Sequence, residues 1–434
     1  MLNNSSLIDR SYASFKQWQL TSLSHRGAVL ETLASELDQH KSDLATVMAI
    51  EMGKPITQGQ HEIEKCVAVC RYYAAMSSDA LAPTRVRLTD HTPAEIQYQP
   101  LGPILAIMPW NYPFWQVFRC LAPMIMIGNT VILKHAPNVS GCANQIIQLC
   151  HRAGLTDQVM CVDWDIPTIH KLIHHPKIRG VTLTGSTEAG KAVAKTAGEA
   201  LKKCVLELGG SDAYIVCDDA DLNHASACCV QSRLMNAGQS CIAAKRWVVH
   251  QSCLAEFTER VISRFRDYQL GDPRHAETNL GPLARVDLAD RLHTQVQASI
   301  HQGAQCLMGG ERVSLTDSGY LPTLLTQVKP GMPAYDEELF GPVGVIIAVQ
   351  SDQEAITVAN DTIYGLGGAV FTKSISRARA IIQQLVVGTC AINTINRSDP
   401  AVPFGGVKQS GFGRELSVQA LHEFSNIKTI ILPD

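Results

Sequence analysis

Gly180-Val181-Thr182-Leu183-Thr184-Gly185-Ser186-Thr187-Glu188-Ala189-Gly190 is a strand that runs into a small-residue turn and opens a helix. Small residues in such a turn let a ligand approach the backbone closely, and the helix N-terminus favours a phosphate. The stretch is not the G-x-G-x-x-G fingerprint, and glycine-rich turns between strand and helix are common, so alone it points only weakly to a nucleotide.

The same alternation repeats outward from it. Upstream, Ile104 to Met108 reads as a buried strand ending at Pro109-Trp110-Asn111, with a helix beginning near Phe114. Thr130 to Lys134 is the next strand, followed by a helix from Asn144 to Ala153, a short strand Val159 to Val162 and a helix Ile166 to His174. Downstream, strands are predicted at Ala213 to Val216, Trp247 to Val249, Val345 to Val349 and Gly368 to Phe371. Helices Cys253 to Tyr268, Val286 to Gln302 and Ser376 to Leu385 alternate with them. Strand, turn and helix in repetition is the pattern of open parallel sheets, so the fold class is α/β. Before this series, Tyr12 to Ala80 reads helical, with Leu30, Leu33, Leu37, Leu44, Val47 and Met48 at helical spacing and a break at Gly53-Lys54-Pro55. Glu95 to Gln99 alternates like a strand, and Lys428 to Leu432 reads as a terminal one.

Bulk properties exclude several classes. A chain of 434 residues exceeds one simple core, so two or three domains are expected. Its 18% charged residues and net charge of −3, without a long like-charge block, argue against nucleic-acid binding. Apolar runs such as Leu121 to Ile127 are too short to span a bilayer, and no secretory signal is visible. The 14 cysteines are scattered, often in apolar runs, without C-x-x-C pairs or zinc-ligand spacing. Buried reduced thiols in a reducing cytoplasm, with no metal site, are the expectation.

Candidate chemistry sits at strand ends. Cys241 lies in the small-residue run Asn236-Ala237-Gly238-Gln239-Ser240-Cys241, and Glu207 in a glycine-flanked turn, Glu207-Leu208-Gly209-Gly210. Acyl transfer through sulfur needs a thiolate, and a carboxylate of raised pKa could take its proton or activate a deacylating water. Against this stands a packed thiol beside a structural acid. Asn111, after a strand, could donate to an oxyanion or simply sit in a turn. Lys134, closing a strand, suits a ribose or phosphate, or is a lysine reaching solvent.

Six blocks in order carry a resemblance over essentially the whole chain: Pro109-Trp110-Asn111-Tyr112-Pro113, Gly185-Ser186-Thr187, Glu207-Leu208-Gly209-Gly210, Gly238-Gln239-Ser240-Cys241, Glu337-Glu338-Leu339-Phe340-Gly341-Pro342, and Pro403-Phe404-Gly405-Gly406 through Ser410-Gly411-Phe412-Gly413-Arg414-Glu415. The chain resembles the aldehyde dehydrogenase superfamily. Within it, Leu133 to Asn138 and Cys241 to Arg246 look most like the bacterial NAD(P)-dependent succinate-semialdehyde dehydrogenases. The resemblance implies an α/β fold of two Rossmann-like parallel-sheet domains plus a small oligomerisation β-ribbon. It implies a cofactor-binding domain at 1–81 and 102–208, a catalytic domain at 209–411, and an oligomerisation segment at 82–101 and 412–434. The terminal strand is expected to join the hairpin at 82–101, in a homodimer or homotetramer.

By the same resemblance Cys241 is the nucleophile, Asn111 and the Cys241 N–H hold the oxyanion, and Glu207 activates water. NAD or NADP would meet Trp110, Lys134, Gly185, Ser186, Leu208, Glu338 and Phe340. Glu415 matches a proton-path position. Arg119, on the helix walling the aldehyde tunnel, would pair with a distal carboxylate, with Ser240 and Ser398 donating hydrogen bonds. The implied reaction is succinate semialdehyde to succinate. The alternatives are other short aliphatic or aromatic aldehydes, or a catalytically silent relative serving as a binding or structural protein.

Four departures from the family pattern matter. Met235 stands where several members carry a second arginine, so specificity could be looser. Pro137 replaces a glutamate that strict NAD users place on the adenine ribose, so use of both NAD and NADP is expected. Ala243 stands where some relatives have a second cysteine, which rules out a disulfide there. The chain also begins almost at the first helix, so an edge of the cofactor domain is expected to be shortened.

Overall fold

The computed structural model describes residues 4–76, 78–313 and 317–433. Two open sheets dominate it. The first runs in the order Gly411–Phe412, Lys203–Glu207, Gly180–Thr184, Pro103–Met108, Thr130–His135, Val159–Cys161. The second runs Gln305–Met308, Thr323–Thr326, Val343–Val349, Ala244–His250, Asp212–Val216, Gly367–Phe371, Thr389–Ile392. All neighbours pair in parallel except at one edge of each sheet, where Gly411–Phe412 and Gln305–Met308 pair antiparallel. Strands such as Gly180–Thr184 and Gly367–Phe371 are buried throughout, as strands covered by helices on both faces must be.

The helical amino-terminal stretch resolves into Asn4–Trp18, Leu23–Gln39, Lys41–Met52 and Ile56–Ala74. Gly53 ends the third of these in the left-handed region at φ 75°, where a side chain would also strike the Pro282 carbonyl. Lys54 then turns inward and is buried, so the short break carries a charge into the core.

A small antiparallel sheet joins Thr84–Arg87, Pro93–Pro100 and Ser425–Ile431. The last strand begins earlier than its apolar tail suggests and pairs from Ser425 opposite Pro100 to Ile431 opposite Ala94. Its free edge leaves Ile427 61% and Ile431 64% exposed. No helix among the described residues is long and apolar enough to cross a membrane.

The helix Trp115–Ile127 positions the site. All of its side chains are buried, so apolar burial holds it from every side. Its first turn is anchored by Glu62, whose Oε1 accepts from the backbone N–H of Phe114 and of Trp115, each at 2.9 Å. A carboxylate there meets the positive end of the helix dipole, and the buried Lys54 ammonium pairs with it.

Candidate active site

Six predicted residues come from the carboxyl ends of four strands of the first sheet, where open parallel sheets place their ligands. Pro103–Met108 leads to Trp110 and Asn111, Thr130–His135 carries Lys134, Gly180–Thr184 leads to Gly185 and Ser186, and Lys203–Glu207 ends in Glu207. Glu207 is therefore the last residue of a strand and not a turn residue as its flanking glycines suggest. Cys241 differs again: it precedes the amino end of Ala244–His250, in the other sheet.

The loop before Cys241 is tightly constrained. Asn236 and Ala237 both take left-handed backbone angles, φ 53° and 51°. Two such non-glycine residues cost about 1–3 kcal/mol each and persist only where surroundings enforce them. Here the enforcing groups are visible. Asn236 Nδ2 donates to the Asn111 carbonyl at 2.8 Å, and Gln239 Nε2 donates to the Asn236 carbonyl at 3.1 Å. The fully buried Arg233 donates to the carbonyls of Gly238 at 2.7 Å, Leu339 at 3.1 Å and Gly341. Lys245 donates to the carbonyls of Ser240 at 2.9 Å and Cys241 at 2.8 Å. Gly238, at φ 73°, lies so close to Gly341 that a Cβ would meet its carbonyl.

Asn111 is buried, and its Nδ2 donates to the Gln239 carbonyl at 3.0 Å, tying the oxyanion candidate directly to the cysteine loop. Its own carbonyl accepts from Lys54 at 3.0 Å. Burial pushes the Cys241 thiol up to about 12, despite the opposing fields of Lys245 and Arg119. The resting group is thus a thiol, and a base must remove its proton before it can attack.

The candidate base, Glu207, has a distinctive setting. Both carboxylate oxygens of Glu207 are buried without a hydrogen-bond partner among the described residues. Burial first, and then the Glu415 carboxylate, raise Glu207 well above the ordinary range. Glu415 is raised too, chiefly by burial, and pairs with Arg119. Two buried carboxylates of raised proton affinity thus lie in the field of Arg119, which pairs with Glu415, and Arg414 acts more weakly on Glu207. Arg119 is buried, its Nη2 lies 3.4 Å from Thr184 Oγ1, and its guanidinium faces the Phe404 ring at 4.7 Å.

Cys241, Arg119 and Ser240 line one cavity of about 640 Å³ with Ser398, Met235, Tyr112, Trp115 and Lys65. Met235 contributes an apolar surface to the lining. Glu207 is not among the cavity's lining residues.

The cofactor candidates form a second group. The Trp110 and Phe340 rings meet edge to face at 5.8 Å. Glu338 Oε1 accepts from the Gly210 N–H at 3.2 Å and lies 3.3 Å from Lys245 Nζ, while the side chain remains partly exposed. Ser186 is exposed and caps the helix Thr187–Glu199, its hydroxyl accepting from the Ala189 N–H. Gly185 precedes it, and the Leu208 side chain packs where Gly190 leaves no room for a Cβ. Lys134 Nζ donates to the neighbouring His135 carbonyl at 2.9 Å. An accessible capped helix N-terminus, a lysine at a strand end and an aromatic pair suit a dinucleotide: phosphate at the helix, ribose at Lys134 and Glu338, an aromatic ring at Phe340.

Several working residues escaped the sequence reading. Arg233 and Lys245 act through backbone carbonyls, which no spacing reveals. Lys54 lay in a run legible only as a helix break. Lys65 occupies a polar position of an amphipathic helix, where a solvated lysine has the same signature.

The chain matches the model of the "Aldehyde dehydrogenase family" over residues 4–430. It is 44% identical over 419 residues, 96% of this chain and 90% of the relative, to the succinate semialdehyde dehydrogenase [NAD(P)+] Sad of Escherichia coli (strain K12). It is 42% identical to a probable succinate-semialdehyde dehydrogenase [NADP(+)] of Synechocystis, over 98% of this chain and 93% of that one. Among solved structures, succinic semialdehyde dehydrogenase from Streptococcus pyogenes in complex with NADP+ superposes with a TM-score of 0.96 at 35% identity, covering 99% of this chain and 95% of that one.

Proposed function

The chain belongs to the aldehyde dehydrogenase family, and from that premise we propose that it oxidises succinate semialdehyde to succinate with NAD or NADP. The observation that carries the chemistry is the orphaned, buried Glu207 carboxylate in the same electrostatic cluster as the Cys241 thiol.

The proposed steps follow from these groups. Glu207 takes the Cys241 proton, helped by its raised affinity for one. The sulfur adds to the aldehyde carbon, and the carbonyl oxygen becomes an oxyanion. Asn111 Nδ2 and the Cys241 N–H are the donors for that oxygen. Trp110, Lys134, Ser186, Glu338 and Phe340 would hold a nicotinamide dinucleotide, which when bound would accept hydride from the tetrahedral carbon, so that the oxygen re-forms its double bond and a thioester remains on sulfur. Glu207 then takes a proton from water as the water oxygen attacks the thioester carbon. The C–S bond breaks, and the acid departs. Glu415, sharing a proton with Glu207, offers that proton an exit.

Cofactor choice is read from the chain after Lys134. Pro137 opens the turn Pro137–Val139 and brings no carboxylate to it. A 2′-phosphate therefore meets no repulsion from that position, and both NAD and NADP serve.

The division into cofactor-binding (1–81, 102–208), catalytic (209–411) and oligomerisation (82–101, 412–434) segments is part of the same proposal, as are a cytoplasmic site of action and a homodimer or homotetramer. The free edge of Ser425–Ile431, with exposed Ile427 and Ile431, supports the last. Light scattering on the purified chain tests it, and a monomer refutes it.

A kinetic panel tests the substrate. We expect kcat/KM for succinate semialdehyde to exceed that for butanal by at least about tenfold, the scale of one charge-assisted contact. Equal values would favour the broad-specificity alternative, which the apolar Met235 lining would suit.

A further inference from the structure

Three cations contribute to the inner lining of the Cys241 cavity: Lys54, Lys65 and Arg119. Two are already neutralised, Lys54 by Glu62 and Arg119 by Glu415. Lys65 is different. Its ammonium donates to Ser398 Oγ at 3.0 Å and lies 4.2 Å from the centroid of the Trp115 ring. Among the described residues no carboxylate pairs with it. An ammonium has three protons to donate, and one hydroxyl and one aromatic face leave it short of a strong acceptor. Arg397 also borders the cavity but is exposed to solvent.

We propose that Lys65, together with the Ser398 hydroxyl, takes the distal carboxylate of the substrate, while Arg119 serves as counter-ion to the Glu207–Glu415 pair. This deepens the substrate assignment above and rests on it. A guanidinium that left Glu415 to bind substrate would strand two buried carboxylates. The Lys65 ammonium abandons no ion pair when it turns to a ligand, because its partner is neutral.

The electrostatics agree. Burial, and then the nearby Arg119 charge, lower Lys65 to about 8, against weaker opposing fields from Cys66, Glu62 and Asp399. Glu64, His61 and Arg397 complete the titratable and charged lining on that side. Lysine is therefore charged at neutral pH and loses its proton just above it. A bound carboxylate is the group that would hold the proton in place.

The test uses the full-length enzyme as Lys65→Met and Lys65→Arg, with succinate semialdehyde and butanal, a neutral aldehyde of the same chain length. The expected result is that Lys65→Met lowers the ratio of kcat/KM between the two substrates by at least about tenfold, through the KM for the semialdehyde. Lys65→Arg retains most of the ratio. The wild-type KM for the semialdehyde rises between about pH 7 and pH 9, while that of Lys65→Arg stays flat, because an arginine keeps its charge throughout. A Lys65→Met ratio within about twofold of wild type overturns the proposal. So does a flat wild-type KM profile, which decides the matter even if Lys65→Met does not fold. A wild-type enzyme that does not prefer the semialdehyde overturns the substrate assignment itself, and that is seen before any variant is made.

Discussion

The two sides of the reaction centre are built on opposite principles. The cysteine loop is fixed by directed hydrogen bonds: Arg233, Lys245, Asn236 and Gln239 each donate to backbone carbonyls, and Lys245 also pairs with Glu338. The facing cluster of Arg119, Glu207 and Glu415 is held by charge, and the oxygens of both carboxylates lack conventional hydrogen-bond partners. The first arrangement gives positional accuracy, because each hydrogen bond has a direction. The second gives proton mobility, because two acids of raised affinity share one cation. In the proposed mechanism a nucleophile must be aimed, whereas a base must change its protonation state in every turnover, and separate groups of residues would meet the two needs.

The largest expected effect lies on the charged side. Glu207→Gln should lower steady-state turnover by about 10²–10⁴-fold, the range of a lost general base. If hydrolysis is the step most affected, mass spectrometry should find an acyl group accumulated on Cys241. A variant that turns over normally would remove Glu207 from the mechanism.

Arg119→Met comes next, because it strands two buried carboxylates. Breaking one partner of a buried pair costs about 3–5 kcal/mol, and the double change Arg119→Met with Glu415→Gln should recover much of that in denaturant unfolding. The pH dependence has a definite sign. Glu207 and Glu415 both bind protons more tightly folded than unfolded. Folding therefore takes up protons above the unfolded carboxylate value of about 4.3, and their contribution to stability falls as pH rises toward the folded values. Removing Arg119 should steepen that fall. Unfolding midpoints independent of pH in Arg119→Met would contradict a proton shared between the two acids.

This contrast also explains what the sequence could and could not reveal. The parallel sheets were legible because buried strands such as Gly180–Thr184 and Gly367–Phe371 leave apolar runs between turns. The antiparallel edge Gly411–Phe412 was not, since two residues carry no periodicity. The ordered blocks around Trp110, Glu207 and Cys241 pointed directly to the residues proposed to react. Their surroundings were hidden. The sequence offers Arg119 on the tunnel helix as a partner for a distal substrate carboxylate and gives no local sign of its contact with Glu415, almost three hundred residues away in the chain. Glu207 looked like a turn acid because Gly209 and Gly210 follow it, while its place at the end of a strand depends on pairing with Gly180–Thr184 and Gly411–Phe412. Partnerships closed by tertiary contact leave no local signature.

The smallest effect tests the accuracy of the cysteine loop. Arg233→Met keeps a long apolar stem in a fully buried position but removes the donor shared by Gly238, Leu339 and Gly341. Their carbonyls then face each other without a cation, at a cost of about 1–3 kcal/mol. The strained Asn236 and Ala237 angles lose one of the contacts that enforce them. Cys241 should shift by a fraction of an ångström, and a shift of that order near a nucleophile lowers kcat by about tenfold or more. KM should change little, since Arg233 does not line the cavity, and the pH profile should keep its wild-type shape because the Glu207 cluster is untouched. A variant whose pH profile moved with its kcat would show that the two sides are coupled, and the division between aiming and proton transfer would then have to be abandoned.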